Sequence, residues 1–121
     1  MTGCACYWLP WPVTVNAYYR SVNNRVIISK RGRIFARDVE DCICEQGGMR
    51  FSCRVSLRVD LYPKTRRKYD ADNVLKSLLD SLEKAGVLEN DEQVWDLRVI
   101  KHEKQADVCG TRVTITPIEL E

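Results

Sequence analysis

Apolar and polar residues alternate strictly over residues 51–61. Phe51, Cys53, Val55, Leu57, Val59 and Leu61 take one side, and Ser52, Arg54, Ser56, Arg58 and Asp60 the other. A period of two predicts a strand with one buried and one wet face, and Pro63 stops it. Residues 5–11 predict an earlier strand, closed by Pro10 and Pro12. Residues 16–26 are polar, the Asn23-Asn24 pair reads as a turn, and Val26-Ile27-Ile28 as a short strand. The period lengthens twice. Ser29 is a candidate N-cap for a helix running to about Gln46, with Ile34, Phe35, Val39, Cys42 and Ile43 as its apolar stripe and Gly47-Gly48 as its stop. A second helix over about 72–85 buries Val74, Leu75, Leu78, Leu79 and Leu82, and Gly86 stands where a left-handed residue ends a helix. Glu89 to Glu92 form a polar turn. Residues 94–101 and 111–118 predict two last strands around a loop holding Gly110, expected as a hairpin. The order β-β-α-β-α-β-β predicts an α+β fold with a mixed or antiparallel sheet and two main helices.

The chain has 121 residues, the length of one domain at about 150 residues each, so residues 1–121 are read as a single compact domain. That length excludes a TIM barrel and a full dinucleotide-binding fold. With 45% hydrophobic and 30% charged residues, the chain is globular and not disordered. Residues 1–13 lack a basic start and carry two prolines, and no apolar run approaches the roughly 18 residues that span a bilayer. A cytoplasmic protein with no membrane partner is expected. The six cysteines are then reduced thiols. Cys42 and Cys44 lie two apart on a predicted helix and face away from each other, no Cys-x-x-Cys occurs, and His102 is the only histidine. The thiols therefore read as structural or incidental, not as a zinc set.

The net charge of +2 conceals a segregation. Residues 20–37 carry six basic groups and no acidic one; residues 50–76 carry eight basic groups against Asp60, Asp70 and Asp72; residues 77–121 carry ten acidic and five basic groups. A surface that faces a polyanion would be built this way, and so would a set of solvated lysines and arginines.

Within the basic region, Asp70 and Asp72 open the second helix two residues apart, and Lys76 follows Asp72 by one helical step. Carboxylate oxygens are hard ligands that suit Mg²⁺, and in an extended segment residues two apart point the same way. The two aspartates can share an ion, with Lys76 reaching a phosphate or a leaving oxygen. Equally, Asp70 can be an N-cap and Asp72 a complement to the helix dipole.

A wider set of residues resolves this choice by resemblance. Leu9-Pro10-Trp11-Pro12, Asn16 with Tyr18-Tyr19-Arg20, Tyr69-Asp70-Ala71-Asp72-Asn73 with Lys76, Asp80, Lys84-Ala85-Gly86-Val87-Leu88 and Asn90-Asp91-Glu92-Gln93-Val94 resemble the RusA family of Holliday junction resolvases, over about residues 7–118. The resemblance implies an Mg²⁺-dependent, homodimeric endonuclease, bacterial or phage-encoded and without an organic cofactor, that cuts four-way junction DNA in recombination and repair. It implies that Asp70, Asp72 and Asp91 form the catalytic, metal-binding set, for one or two Mg²⁺ per site, and that Lys76 is the functional lysine. Two departures are visible. The usual Pro-Pro-Ser-x-Asn start is here Pro12-Val13-Thr14-Val15-Asn16. Tyr69 precedes the first aspartate, where a basic residue is common.

Two symmetric nicks in a near two-fold substrate call for a two-fold dimer with two identical sites. Phosphate contacts are expected from Arg20, Arg25, Lys30, Arg31, Arg33, Arg66, Arg67 and Lys68, with strong salt dependence, and Asn16 and Tyr18 join the DNA-facing set. Tyr69 is placed either to stack on an unpaired base or as a half-buried side chain. Trp8, Trp11 and Trp95 are expected in the core or at a dimer interface, and His102 on the surface. Asp91 poses a geometric question, because a helix over 73–85 is about 20 Å long. Either residues 86–91 run back along it, or another subunit completes the site. A non-catalytic DNA-binding module, or a nuclease for other branched or single-stranded DNA, would share the basic surface; an interaction protein without nucleic acid leaves the charge segregation unexplained.

Overall fold

The structure, a computed structural model, describes residues 3–118. Along the chain come β1 (Ala5–Leu9), α1 (Val15–Tyr18), β2 (Tyr19–Val22), β3 (Arg25–Ile28), α2 (Lys30–Glu45), β4 (Val55–Tyr62), α3 (Ala71–Lys84), a 3-10 turn (Asp91–Gln93), β5 (Val94–Lys101) and β6 (Gly110–Pro117). Both predicted helices are present within a residue or two of their expected ends. Ser29 caps α2 by accepting from the Gly32 amide at 3.0 Å, and Gly86 follows α3 with φ +80°. The polar stretch before β3 contains two elements that its composition hid. Thr14 caps the short α1, and β2 forms a hairpin with β3. Asn23 and Asn24 both have positive φ (51° and 62°), the conformation that a two-residue hairpin turn demands.

The main sheet is mixed, in the order β1-β6-β4-β5. The expected terminal hairpin does not form. β6 inserts antiparallel between β1 and β4, and β5 pairs parallel with β4. β4 turns the fully apolar row Val55, Leu57, Val59 and Leu61 inward and pairs on both edges, with β6 and β5, and α3 supplies the crossover that parallel pairing requires. One face of this sheet meets α2 and α3 in a single core that joins Tyr7, Leu9, Leu57, Val59, Val113 and Ile115 to Phe35, Val39, Ile43, Val74, Leu78 and Leu82. Ser77 anchors α3 to the proline-rich segment by donating to the Val13 carbonyl at 2.5 Å. Gln46 brackets the backbone of Trp8 with two bonds of 2.8 Å, which occupies the free edge of β1.

Several expectations about burial change. The strand expected from Phe51 begins at Val55, and Cys53 is exposed. Ile34 is 42% exposed, because the inward face of α2 is built from Gly32, Phe35, Ala36, Val39 and Ile43. On the wet side of β4, Asp60 is fully buried. Arg58 Nε lies 3.1 Å from its carboxylate, His102 Nε2 2.8 Å and Arg112 Nη2 3.7 Å, so three neighbours cover it. Trp8 and Trp95 are 39% and 63% exposed and lie outside the core, whereas Trp11 packs against it. Trp95 is displaced by the irregularity that shifts β5 against β4 at Val55, and the Arg54 guanidinium lies 3.7 Å above its ring. All six cysteines are free thiols, as expected.

Candidate active site

Parallel pairing brings the C-terminal ends of β4 and β5 to the same edge of the sheet. From β4, the loop of residues 63–70 climbs into α3, and β5 ends beside it in Lys101. The crevice beyond the carboxyl ends of parallel strands is where open sheets seat their ligands.

Asp70 is the N-cap residue of α3, with extended backbone (φ −94°, ψ 135°), yet its side chain caps nothing. Asp72 is exposed in the first turn. Neither carboxylate forms an ion pair among the described residues. Simple capping therefore does not account for Asp70. It lines a cavity of about 550 Å³ together with Arg67, Lys68, Tyr69, Asn73 and Lys101. Three cationic side chains line that cavity with one carboxylate, and none of them pairs with it among the described residues. A second cavity of about 410 Å³ shares Arg67 and Tyr69 with the first and adds Pro63, Thr65, Arg66, His102, Glu103 and Lys104. Oxygen donors free of protein partners suit a hard divalent cation, and the surrounding cations suit the phosphates it would accompany.

Tyr69 is half-buried. Trp11 meets its ring edge-on at 5.1 Å, and Lys101 Nζ lies 4.3 Å from the ring centroid. The Lys101 ammonium also donates to the Tyr69 carbonyl at 2.6 Å. The Tyr69 hydroxyl is buried without a partner among the described residues, and burial raises its pKa.

Farther along α3, Lys76 does not reach back toward Asp72. It pairs forward with Asp80, Nζ to Oδ1 3.1 Å. Asp80 also accepts the Tyr19 hydroxyl, which ties β2 to α3. Burial pushes the Asp80 carboxyl up, Glu83 and Asp91 add to that push, and Lys84 opposes it. Asp91 thus lies within electrostatic reach of Asp80. The chain after Gly86 doubles back along α3 to this point, and the reciprocal bonds of Asn90 and Gln93 fix the turn that carries Asp91. Asp80 is about 12 Å beyond Asp72 along the helix axis at 1.5 Å per residue. Among the described residues, no three Asp, Glu, His or Cys side chains assemble into a metal-holding group. One protomer brings Asp70 and Asp72 to the mouth of α3 and leaves Asp91 beside Asp80.

The other predicted contacts divide in two. Arg20, Arg25, Lys30, Arg31, Arg33, Arg66, Arg67 and Lys68 are exposed. Asn16 and Arg20 line a shallow cavity of about 290 Å³ with Tyr19 and Val26. Arg33 is partly engaged, donating to the Ile28 carbonyl at 3.0 Å. Tyr18 is a correction. It is fully buried at the end of α1, edge-on to Tyr19, so its side chain cannot face DNA.

A family model described as Endodeoxyribonuclease RusA matches residues 10–116. The chain belongs to the RusA family. A crossover junction endodeoxyribonuclease of Enterobacteria phage HK97 is 40% identical to it over 125 aligned positions, covering 93% of this chain and 92% of that protein. The crossover junction endodeoxyribonucleases of Escherichia coli strain K12 and Enterobacteria phage 82 are 35% and 38% identical over 97 positions, each covering 77% of this chain.

The structure places Asp70 at the N-cap of α3, Asp72 and Lys76 on its exposed side, and the basic loop of residues 64–68 directly ahead of them. Two further residues gain a place only from the fold. Asp80 was part of the matching motif, but only the fold shows it taking up Lys76 and Tyr19. Lys101 had no signal at all, because a terminal hairpin would have turned β5 away from β4.

Proposed function

We propose that this chain is a structure-specific endonuclease that resolves four-way DNA junctions by hydrolysing phosphodiesters with the help of Mg²⁺. The observation that carries this reading is the free Asp70 carboxylate at the mouth of α3, set among Arg67, Lys68 and Lys101. A carboxylate repels a phosphodiester unless a cation stands between them, and an uncompensated one has no place on a surface that only binds DNA. Asp70 and Asp72 are the residues that would hold the metal, with Asp91 as the third. When bound, the ion would favour attack by water and neutralise charge at phosphorus. The chain's own groups do the remaining work. Arg67 and Lys68 attract and seat the backbone phosphate. Lys76, with one bond to Asp80 and two further N–H donors, is available to charge that builds on a phosphate or leaving oxygen.

Two symmetric nicks require two such sites in a homodimer. That Asp91 comes within electrostatic reach of Asp80, and forms no metal-holding group with Asp70 and Asp72 among the described residues, supports a site shared between subunits, in which the Asp91 of one protomer meets the Asp70 and Asp72 of the other.

The test compares a labelled four-way junction with linear duplex of the same sequence, in Mg²⁺ or EDTA, for wild type and Asp70→Asn. Paired nicks are expected only with junction, metal and wild type, while Asp70→Asn retains junction binding. Tight binding by wild type with no nicks would leave a DNA-binding module instead. Equal cutting of linear or single-stranded DNA would redirect the reading to a different nuclease.

A further inference from the structure

We propose that Lys101 is a phosphate-binding residue of this active site, holding a phosphodiester of the cleaved strand next to Asp70. The proposal rests on the junction-nuclease reading above and assigns it a residue from outside the acidic motif and the basic loop.

Position comes first. Lys101 is the last residue of β5, in register with Leu61 near the end of β4. The chain leaving β4 enters α3 at Asp70, so the parallel pair delivers Lys101 and Asp70 to one cavity. Fixation comes second. The Lys101 ammonium is held at two points of one residue, the Tyr69 carbonyl and the face of the Tyr69 ring. Trp11 braces that ring from its edge, and the tyrosine hydroxyl is buried. A lysine stem is otherwise free to rotate through many conformers, and a donor already fixed in place loses little on binding. Arg67 and Lys68 share the cavity, but their side chains reach it from an exposed loop with no hydrogen bond among the described residues. Capacity comes third. An ammonium has three N–H donors, and one is used by Tyr69. Lys101 is exposed and forms no salt bridge among the described residues, not even with Asp70 in the same cavity. A fixed cation with two free donors beside an unpaired carboxylate is suited to an anion that approaches with its own counter-cation. A phosphodiester accompanied by a divalent metal has that chemistry.

Lys101→Met, Lys101→Gln and Lys101→Arg are measured beside wild type on a four-way junction. Cleavage is followed in Mg²⁺, equilibrium binding in EDTA across a salt series, and folding by thermal melting. Loss of one phosphate contact should flatten the slope of log K against log salt by about 0.9 in the Met and Gln variants. Their cleavage should fall by at least about tenfold, and Arg should restore it to within a few-fold. A variant that merely loses the tie to Tyr69 would melt earlier and cut more slowly with an unchanged salt slope, and that result overturns the proposal. So does cleavage by the Met variant within about twofold of wild type. Wild type that neither binds nor cuts the junction would instead overturn the junction reading, and the role of Lys101 with it.

Discussion

Asp60 shows how far a single residue can depart from what alternation predicts. Its place on the wet face of β4 made it a surface carboxylate, yet it is fully buried beneath Arg58, His102 and Arg112. Burial alone would raise its pKa. The bonds from His102 and Arg58, with the charges of Arg58 and Arg112, more than offset that and hold it below the ordinary value of 3.8. A depressed carboxylate contributes stability above its unfolded pKa, and that contribution is lost as pH falls through the folded value. Wild type should therefore lose stability on the acid side, from about pH 5 downward. Asp60→Asn should be less stable at pH 7 by about 2 kcal/mol, a figure reduced from the usual cost of a broken buried pair because both arginines are half exposed. Thermal melts of the two proteins should converge as pH falls. A constant gap down to pH values where carboxylates are protonated would mean that shape, not charge, explains the loss.

At the scale of elements, the support for α3 comes from the N-terminal half of the chain. The α1–β2 segment lies against α3 through Tyr19 and Asp80, and α2 holds that segment in turn. Gly32, in the first turn of α2, makes this contact close. A Cβ there would run into the Tyr18 carbonyl oxygen and lie 2.8 Å from Ile28 Cγ2. The neighbour in the way is backbone, which cannot rotate aside. Gly32→Ala should therefore destabilise the protein by about 1–3 kcal/mol, against the usual small gain from alanine in a helix. It should also lower junction cleavage by loosening Tyr19 from Asp80. Chemical denaturation decides the first point, and a stabilised Gly32→Ala protein would show that α1 and α2 are free to separate.

At the scale of the whole molecule, the acidic residues pose a problem of distance. α3 holds Asp70 and Asp72 at one end, while the returning chain brings Asp91 only as far as Asp80. The shared dimeric site proposed above would solve this without refolding either half. Mixing Asp70→Asn and Asp91→Asn subunits, each inactive alone, should then restore up to about a quarter of wild-type cleavage, because a heterodimer of this kind contains one intact shared site and half of a random mixture is heterodimer. If each protomer instead builds its own complete site, every mixture should stay inactive. The segregated charge belongs to this scale too. Basic groups in residues 20–37 and 50–76, displaced from the acidic C-terminal third, should make junction binding fall steeply with salt.

The sequence by itself determined the parts whose physics is local. The period of two in β4, the apolar stripes and stops of α2 and α3, the asparagine turn and the Asp70-x-Asp72 motif with Lys76 were all legible, because each depends on neighbours within a few residues. That motif together with Leu9-Pro10-Trp11-Pro12, Lys84-Ala85-Gly86 and Asn90-Asp91-Glu92-Gln93-Val94 carried the family resemblance. Tertiary structure decided everything that depends on which strand lies beside which. A hairpin and a parallel crossover use the same local pattern for β5, and only competition for the two flanks of β4 separates them. That choice set Lys101 beside Asp70, buried Asp60 under groups from β4, β6 and the segment after β5, and left Trp95 exposed at the edge. Tyr18 went inward for a related reason. A short helix and a hairpin folded over α2 and α3 close around it, and no periodicity in four residues could announce that.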